Sequence, residues 1–177
     1  MTAKAAMHER NPFLEAVGRV TVAGAHLDLS LHNLLGQIAF EPTLIKLANA
    51  EGTARLIELC ELALQTYSSD IPAEDVATVS RCLVQAKSLK DKRNIVVHSL
   101  FFQSLEGGEL EAAKPLRKRL GQRVTKITIS EMEVIADSLE ALCGDLFRAG
   151  WNAGTHSSGM PRIAPQPTSE GVGVTSD

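Results

Sequence analysis

Arg93, Asn94 and His98 are the residues of this chain whose types and spacing best suit chemistry. They lie in the stretch from Lys90 to Phe102, where an Arg-Asn pair, three β-branched residues and a histidine precede Ser99 and the apolar run Leu100-Phe101-Phe102. On a helix, Asn94 and His98 share a face because they are four residues apart. Arg93 lies about 140° round from His98 at 100° per residue, near enough for a long side chain to converge on one ligand. This set suits phosphodiester cleavage. Arginine is always charged and forks onto phosphate oxygens. Histidine, with an ordinary pKa of ~6.5, can take a proton from a ribose hydroxyl or give one to a leaving oxygen. RNA brings its own nucleophile, the 2′-hydroxyl, so the chemistry calls for no metal and no cofactor. One histidine does not conveniently serve as base and acid on opposite sides of phosphorus, and a symmetric homodimer would supply the second.

A structural role for the same residues is the competing expectation. Val76, Val79, Leu83 and Ala86 set a helical stripe that continues to positions 90, 93, 97 and 100, where the chain has Lys90, Arg93, Val97 and Leu100. A second register, through Cys82, Ala86, Leu89, Arg93, Val96 and Leu100, also passes through Arg93. In both registers Arg93 points toward something. That partner is either a carboxylate of the chain, Asp28 or Glu15, or a phosphate from outside it. His98 could equally donate to a backbone carbonyl.

The elements that must position these residues are mostly helices. A long first helix is expected from Pro12 to Ala39, with Leu14, Val17, Gly24, Leu27, Leu31, Leu34 and Ile38 on one face. Gly24, between Ala23 and Ala25, would let a neighbour approach closely. Asp28 and His32, at i and i+4, are expected to share a local hydrogen bond at the edge of the core. Glu41-Pro42-Thr43 breaks this helix, and the short apolar segment Leu44 to Ala48 follows. The next helix covers about Ala54 to Tyr67 with Leu56, Leu59, Cys60, Ala63 and Tyr67 on its stripe. Pro72, followed by Glu74 and Asp75, starts the helix that bears Arg93. The β-branched run Ile95-Val96-Val97 could end it near Ile95.

Gly107-Gly108 signals a tight turn, and Arg123 to Ile129 reads as a strand, giving a small β-hairpin insertion. Ser130 with Glu133 forms a capping box for the last helix, whose stripe is Met132, Ile135, Leu139, Leu142 and Leu146, and Gly150 ends it. Residues 1–11 are expected to be a flexible N-terminus and 12–150 one helical domain. Residues 151–177, rich in Gly, Pro, Ser and Thr, are expected to be a disordered tail.

The Arg-Asn-three residues-His sequence, followed by Ser-Leu-Phe and framed by this order of helices, resembles the Arg-x(4–6)-His motif of the HEPN superfamily. The resemblance spans about Leu14 to Gly150. It implies a mainly α-helical bundle, here with a β insertion, that dimerises with its motifs facing each other. It also implies a metal-independent endoribonuclease, of a kind found in toxin–antitoxin, abortive-infection or RNA-processing systems. Carried over, Arg93 and His98 would be catalytic and Asn94 supporting. Asp28 would correspond to an acidic residue some members place on the first helix. The alternative within the same fold is a non-catalytic helical dimerisation or interaction module.

The remaining composition narrows partners. A formal charge of −3 gives no bulk argument for nucleic-acid or membrane binding, so an RNA surface must be local. Lys90 and Lys92 beside the motif, and Arg117, Lys118 and Arg119 in a basic stretch free of acids from Ala112 to Ile129, are the candidate RNA contacts. That stretch reads equally as a solvated hairpin arm. RNA and an antitoxin protein are the partners the resemblance adds. No apolar run approaches the ~20 residues of a membrane span, and the first ten residues lack the apolar core of a signal peptide. Cys60, Cys82 and Cys143 are odd in number, lack metal-ligand spacing, and read as small core residues in a reducing cytoplasm.

Overall fold

A computed structural model describes residues 11–39, 41–103, 110–115 and 121–164. Five helices carry the fold: α1 (Pro12–Ala39), α2 (Pro42–Ala48), α3 (Thr53–Tyr67), α4 (Ala73–Val97) and α5 (Ile129–Thr155). Between α4 and α5 lies an antiparallel sheet of β1 (Leu100–Gln103), β2 (Leu110–Pro115) and β3 (Gln122–Lys126), in the order β1-β2-β3. Leu100 pairs with Ala113, and Ala113 with Val124. The insertion is therefore a three-stranded meander, one strand more than a hairpin. Gly107 and Gly108 lie outside the described residues. The strand expected from Arg123 to Ile129 stops at Lys126, because Thr128 is already the cap of α5.

One apolar core holds the helices together, with α1 at its centre against α3, α4 and α5. The expected stripe of α1 is buried from Gly24 to Ile38, but Leu14 is 62% exposed. Its place is taken by Ala16, Val20 and Ala23, which are buried. Arg19 crosses from α1 to α5, bonding Glu133 and, at 2.7 Å, Asp137. Those hydrogen bonds, led by Asp137 and then Glu133, raise the pKa of its guanidinium.

Two boundaries of α5 differ from expectation. Thr128 is the N-cap: its hydroxyl accepts from the Glu131 amide while the Glu131 carboxylate accepts from the Thr128 amide. Ser130 lies inside the helix, so the capping box sits two residues earlier than predicted. Gly150 does not end the helix either. A Cβ at Gly150 would collide with the Gln37 side chain, and one at Gly154 would lie 2.7 Å from the Gln37 carbonyl oxygen. These glycines are where α1 approaches α5, and the helix runs on to Thr155.

The following residues fold back instead of leaving the domain at 151. Trp151 Nε1 donates to the Pro161 carbonyl, and the Asn152 side chain bonds both backbone groups of Ile163. Arg162 clamps the buried Asp75 of α4 with two hydrogen bonds of 2.8 and 2.6 Å. Composition could not reveal this latch, since its partner lies 87 residues away. Residues 1–10 and 165–177 lie outside the described set.

No helix among the described residues is long and apolar enough to cross a membrane. Cys60 and Cys82 are buried, Cys143 is half-buried, and all three are free thiols. Burial, helped by Glu61, pushes the Cys60 thiol up to about 12, and its Sγ donates to the Leu31 carbonyl.

Candidate functional site

The last three turns of α4 form the site. Both expected registers are buried between Val79 and Ala86, and beyond that burial of Leu89 and Val96 selects the second. Leu100 would be its next member, but it is 69% exposed because the helix has already given way to β1. The β-branched run does not end the helix at Ile95, and α4 continues to Val97. Lys90, Arg93, Asn94 and Ile95 are half-buried, whereas Lys92 and His98 are exposed.

Arg93 crosses α1 at Gly24. A Cβ there would lie 2.6 Å from Arg93 Nε and 3.2 Å from its Cγ, so the side chain occupies the space that the glycine leaves. Arg93 Nη1 donates to Asn94 Oδ1 at 3.1 Å, while Nε is buried without an acceptor. One turn beyond Gly24, Asp28 Oδ1 is also buried, and no donor reaches it. Neither expected carboxylate pairs with the arginine: Glu15 is exposed, and no ion pair joins Arg93 to Asp28. Nor does Asp28 bond His32, whose Nε2 lies 3.2 Å from the Ile45 carbonyl of α2. Buried polar atoms without partners are uncommon and costly. Here two of opposite character line one cleft.

That cleft has a volume of about 570 Å³. Asp28 of α1, Lys90, Arg93 and Asn94 of α4, the N-terminus of α3 and Lys114 of β2 enclose it. Lys114 Nζ donates to the Asn94 carbonyl at 3.2 Å, tying the sheet to the end of α4. Asn94 and Lys114 also line an adjoining cleft of about 410 Å³, with Ser99 and Arg123. The Ser99 hydroxyl is buried there without a partner.

The structure thus brings together Arg93, Asn94, Asp28 and Lys90. His98 is the C-cap of α4, with its amide bonded to the Asn94 carbonyl at 3.3 Å. It is exposed and is not among the residues lining either cleft, because the chain turns into β1 at this point. Lys92 faces a separate, largely apolar cavity of about 320 Å³, with Ile95, Ile127 and Val134. Arg117, Lys118 and Arg119 lie outside the described residues. Thr53 and Arg55 were missed as site residues, whereas Lys114 belongs to the basic stretch expected to track RNA or to be a solvated arm. The signal for the first two was faint: a glycine, Gly52, precedes an amphipathic helix where a polar cap is usual. Among the described residues no three His, Cys, Asp or Glu side chains gather to hold a metal ion.

No protein-family model, curated protein or solved structure matches this chain.

Proposed function

We propose that the chain is a metal-independent endoribonuclease of HEPN type that works as a homodimer. Arg93 would hold the scissile phosphate, with Asn94 orienting its guanidinium. His98 would take the proton from the attacking 2′-hydroxyl or return one to the departing 5′-oxygen, leaving a 2′,3′-cyclic phosphate and a 5′-hydroxyl end. The observation that carries this reading is the state of Arg93: buried Nε, no carboxylate partner, and a cationic cleft in front of it. A phosphate is the partner it lacks. The exposed His98, one helical turn beyond Asn94, is accessible to substrate.

The second histidine would come from a second copy. The outer face of α1 supports such docking, since Leu14, Val22 and Leu29 are 62%, 56% and 59% exposed and fall on one stripe with Gly18 and Ala25. This stripe runs beside Asp28, so a partner docked on it would border the cleft. Leu29→Glu is expected to shift the protein to monomer in sedimentation and to lower cleavage with it. The resemblance suits a toxin or defence enzyme with an antitoxin protein partner, and the three free thiols suit a reducing cytoplasm.

The deciding experiment incubates purified protein and His98→Ala with RNA in EDTA. We expect His98→Ala to lose ~10²–10⁴-fold in cleavage with unchanged stability. Equal inactivity of both proteins, with a dimer present, would sink the nuclease. A non-catalytic interaction module would then remain. That reading is favoured by the Arg93–Asn94 hydrogen bond and by the absence of His98 from the cleft lining.

A further inference from the structure

We infer that the N-terminus of α3 is a second phosphate-binding subsite in the Arg93 cleft, shaped for a phosphoryl group carried on a ribose. The inference rests on the nuclease reading only for the source of that group, a phosphorylated RNA end.

The start of α3 is unusual in being left open. Helices mostly begin at a Ser, Thr, Asp or Asn whose side chain accepts from the first free amides. Here the N-cap is Gly52, with no side-chain hydrogen bond. Nothing in the backbone demands a glycine, for Gly52 has an ordinary extended conformation (φ −83°, ψ 166°). Packing does not demand it either: a Cβ there would meet nothing within 4 Å. The amides of Thr53 and Ala54 consequently have no acceptor among the described residues. Free amides at the positive end of a 15-residue helix attract an anion.

A second observation points to the same ligand. Thr53 is only 8% exposed, lines the cleft, and makes no hydrogen bond with any described residue. Its hydroxyl, on a buried residue that lines the cleft beside two free amides, is a ready donor to an oxyanion. Cations surround the place. Arg55 follows on α3, Lys90 and Arg93 come from α4, and Lys114 comes from β2. Their present partners are exchangeable: Arg55 pairs with exposed Glu58 at 2.9 Å, Lys90 with exposed Asp91 at 3.3 Å, and Lys114 donates to a backbone carbonyl. Surface pairs of this kind contribute little and yield readily to a better acceptor.

The acids select among anions. Asp91 accompanies Lys90, but Asp28 presents a buried Oδ1 that no donor satisfies. Inorganic phosphate seated at α3 has no sugar hydroxyl to extend toward it. A phosphorylated ribose offers the anion to α3 and a hydroxyl to Asp28, and the cleft is of the size that takes a nucleotide.

Calorimetric titration of the full chain tests this with 5′-AMP, its 2′,3′-dideoxy analogue, adenosine and inorganic phosphate. We expect 5′-AMP to bind at least about tenfold more tightly than adenosine, as loss of charge-assisted hydrogen bonds requires. The dideoxy analogue and inorganic phosphate should both fall below 5′-AMP. Gly52→Asp puts a carboxylate where the phosphate would sit and caps the helix. It should abolish 5′-AMP binding while the melting temperature holds or rises. Equal binding of adenosine and 5′-AMP, no binding at millimolar 5′-AMP, or full binding by Gly52→Asp would overturn the subsite. Inorganic phosphate binding as well as 5′-AMP would overturn the role of Asp28. A short RNA bearing a 5′-phosphate should bind more tightly than its 5′-hydroxyl counterpart, and equality would overturn the RNA end as the source. His98→Ala should retain 5′-AMP binding. Wild-type protein that binds 5′-AMP but cleaves no RNA would sink the nuclease and spare the subsite.

Discussion

Helices α4 and α5 both pack against α1, but their seams are built from opposite materials. The stripe of α5 is apolar from Met132 to Leu146, and every member is buried. Where that helix meets the C-terminal part of α1, glycines at 150 and 154 admit Gln37. The stripe of α4 begins in the same way, with Val79, Leu83 and Ala86, and then delivers Arg93 at a core position. There Gly24 of α1 admits a guanidinium instead of a methyl group. Small residues allow close approach in both seams. The α5 seam spends that closeness mostly on dispersion and apolar burial, although Gln37 Oε1 lies buried in it without a partner. The other holds a charge in place with hydrogen-bonding capacity unused. Polar atoms buried without partners, such as Arg93 Nε and Asp28 Oδ1, cost stability, and they stay available to a ligand.

Substitutions can break this contrast. The largest effect is expected from Leu139→Ala in the α5 seam, which should cost about 3 kcal/mol in urea denaturation, as for other fully buried leucines. Gly24→Ala comes next. Its methyl would overlap Arg93 and should cost about 1–3 kcal/mol. In an Arg93→Ala background the same change should become stabilising by up to ~1 kcal/mol, since alanine is the better helix former. No reversal of sign between the two backgrounds would mean that Arg93 does not lie over Gly24.

Cys60 is an intermediate case, a polar atom in the core that does have a partner. Its folded thiol keeps its proton up to about 12, whereas an unfolded thiol ionises near ~8.5. Between those values the folded state binds more protons, so stability should fall as pH rises. The slope should approach about 1.4 kcal/mol per pH unit. Comparing urea midpoints of wild type and Cys60→Ala at pH 8.5 and pH 10 isolates this effect, because only the wild type carries it.

The start of α5 supplies a smaller test. Thr128→Ala should cost about 1 kcal/mol and Ser130→Ala only a few tenths, because only the former removes a cap. A small change is also expected from Arg93→Met. Stability should move by less than ~1 kcal/mol in either direction, since the one hydrogen bond to Asn94 is offset by the cost of the unpartnered Nε. A loss as large as that of Leu139→Ala would make the two seams alike and would assign Arg93 to the core.

Much of the scaffold was legible because helical period is a local property. The bounds of α1, the stripe of α3 and the stripe of α5 follow from apolar residues recurring every three or four positions. Arg93 could be singled out in the same way, as a cation on an apolar stripe. Features that depend on distant chain were not legible. Leu14 looked like core, but the helix buries Ala16 and Val20 instead. Gly150 looked like a stop until Gln37 occupied the space beside it. Arg162 looked like tail until Asp75 accepted from it.

The sequence by itself determined which segments become helices and that Arg93 faces inward, because both follow from spacing along one chain. Only the tertiary structure decided what Arg93 faces. It brought Gly24 beneath the side chain, left Asp28 unpaired one turn away, and swung the uncapped start of α3 and Lys114 of β2 into the same cleft. Those neighbours come from three separate elements besides α4. Their meeting depends on how the helices pack, which no local pattern encodes.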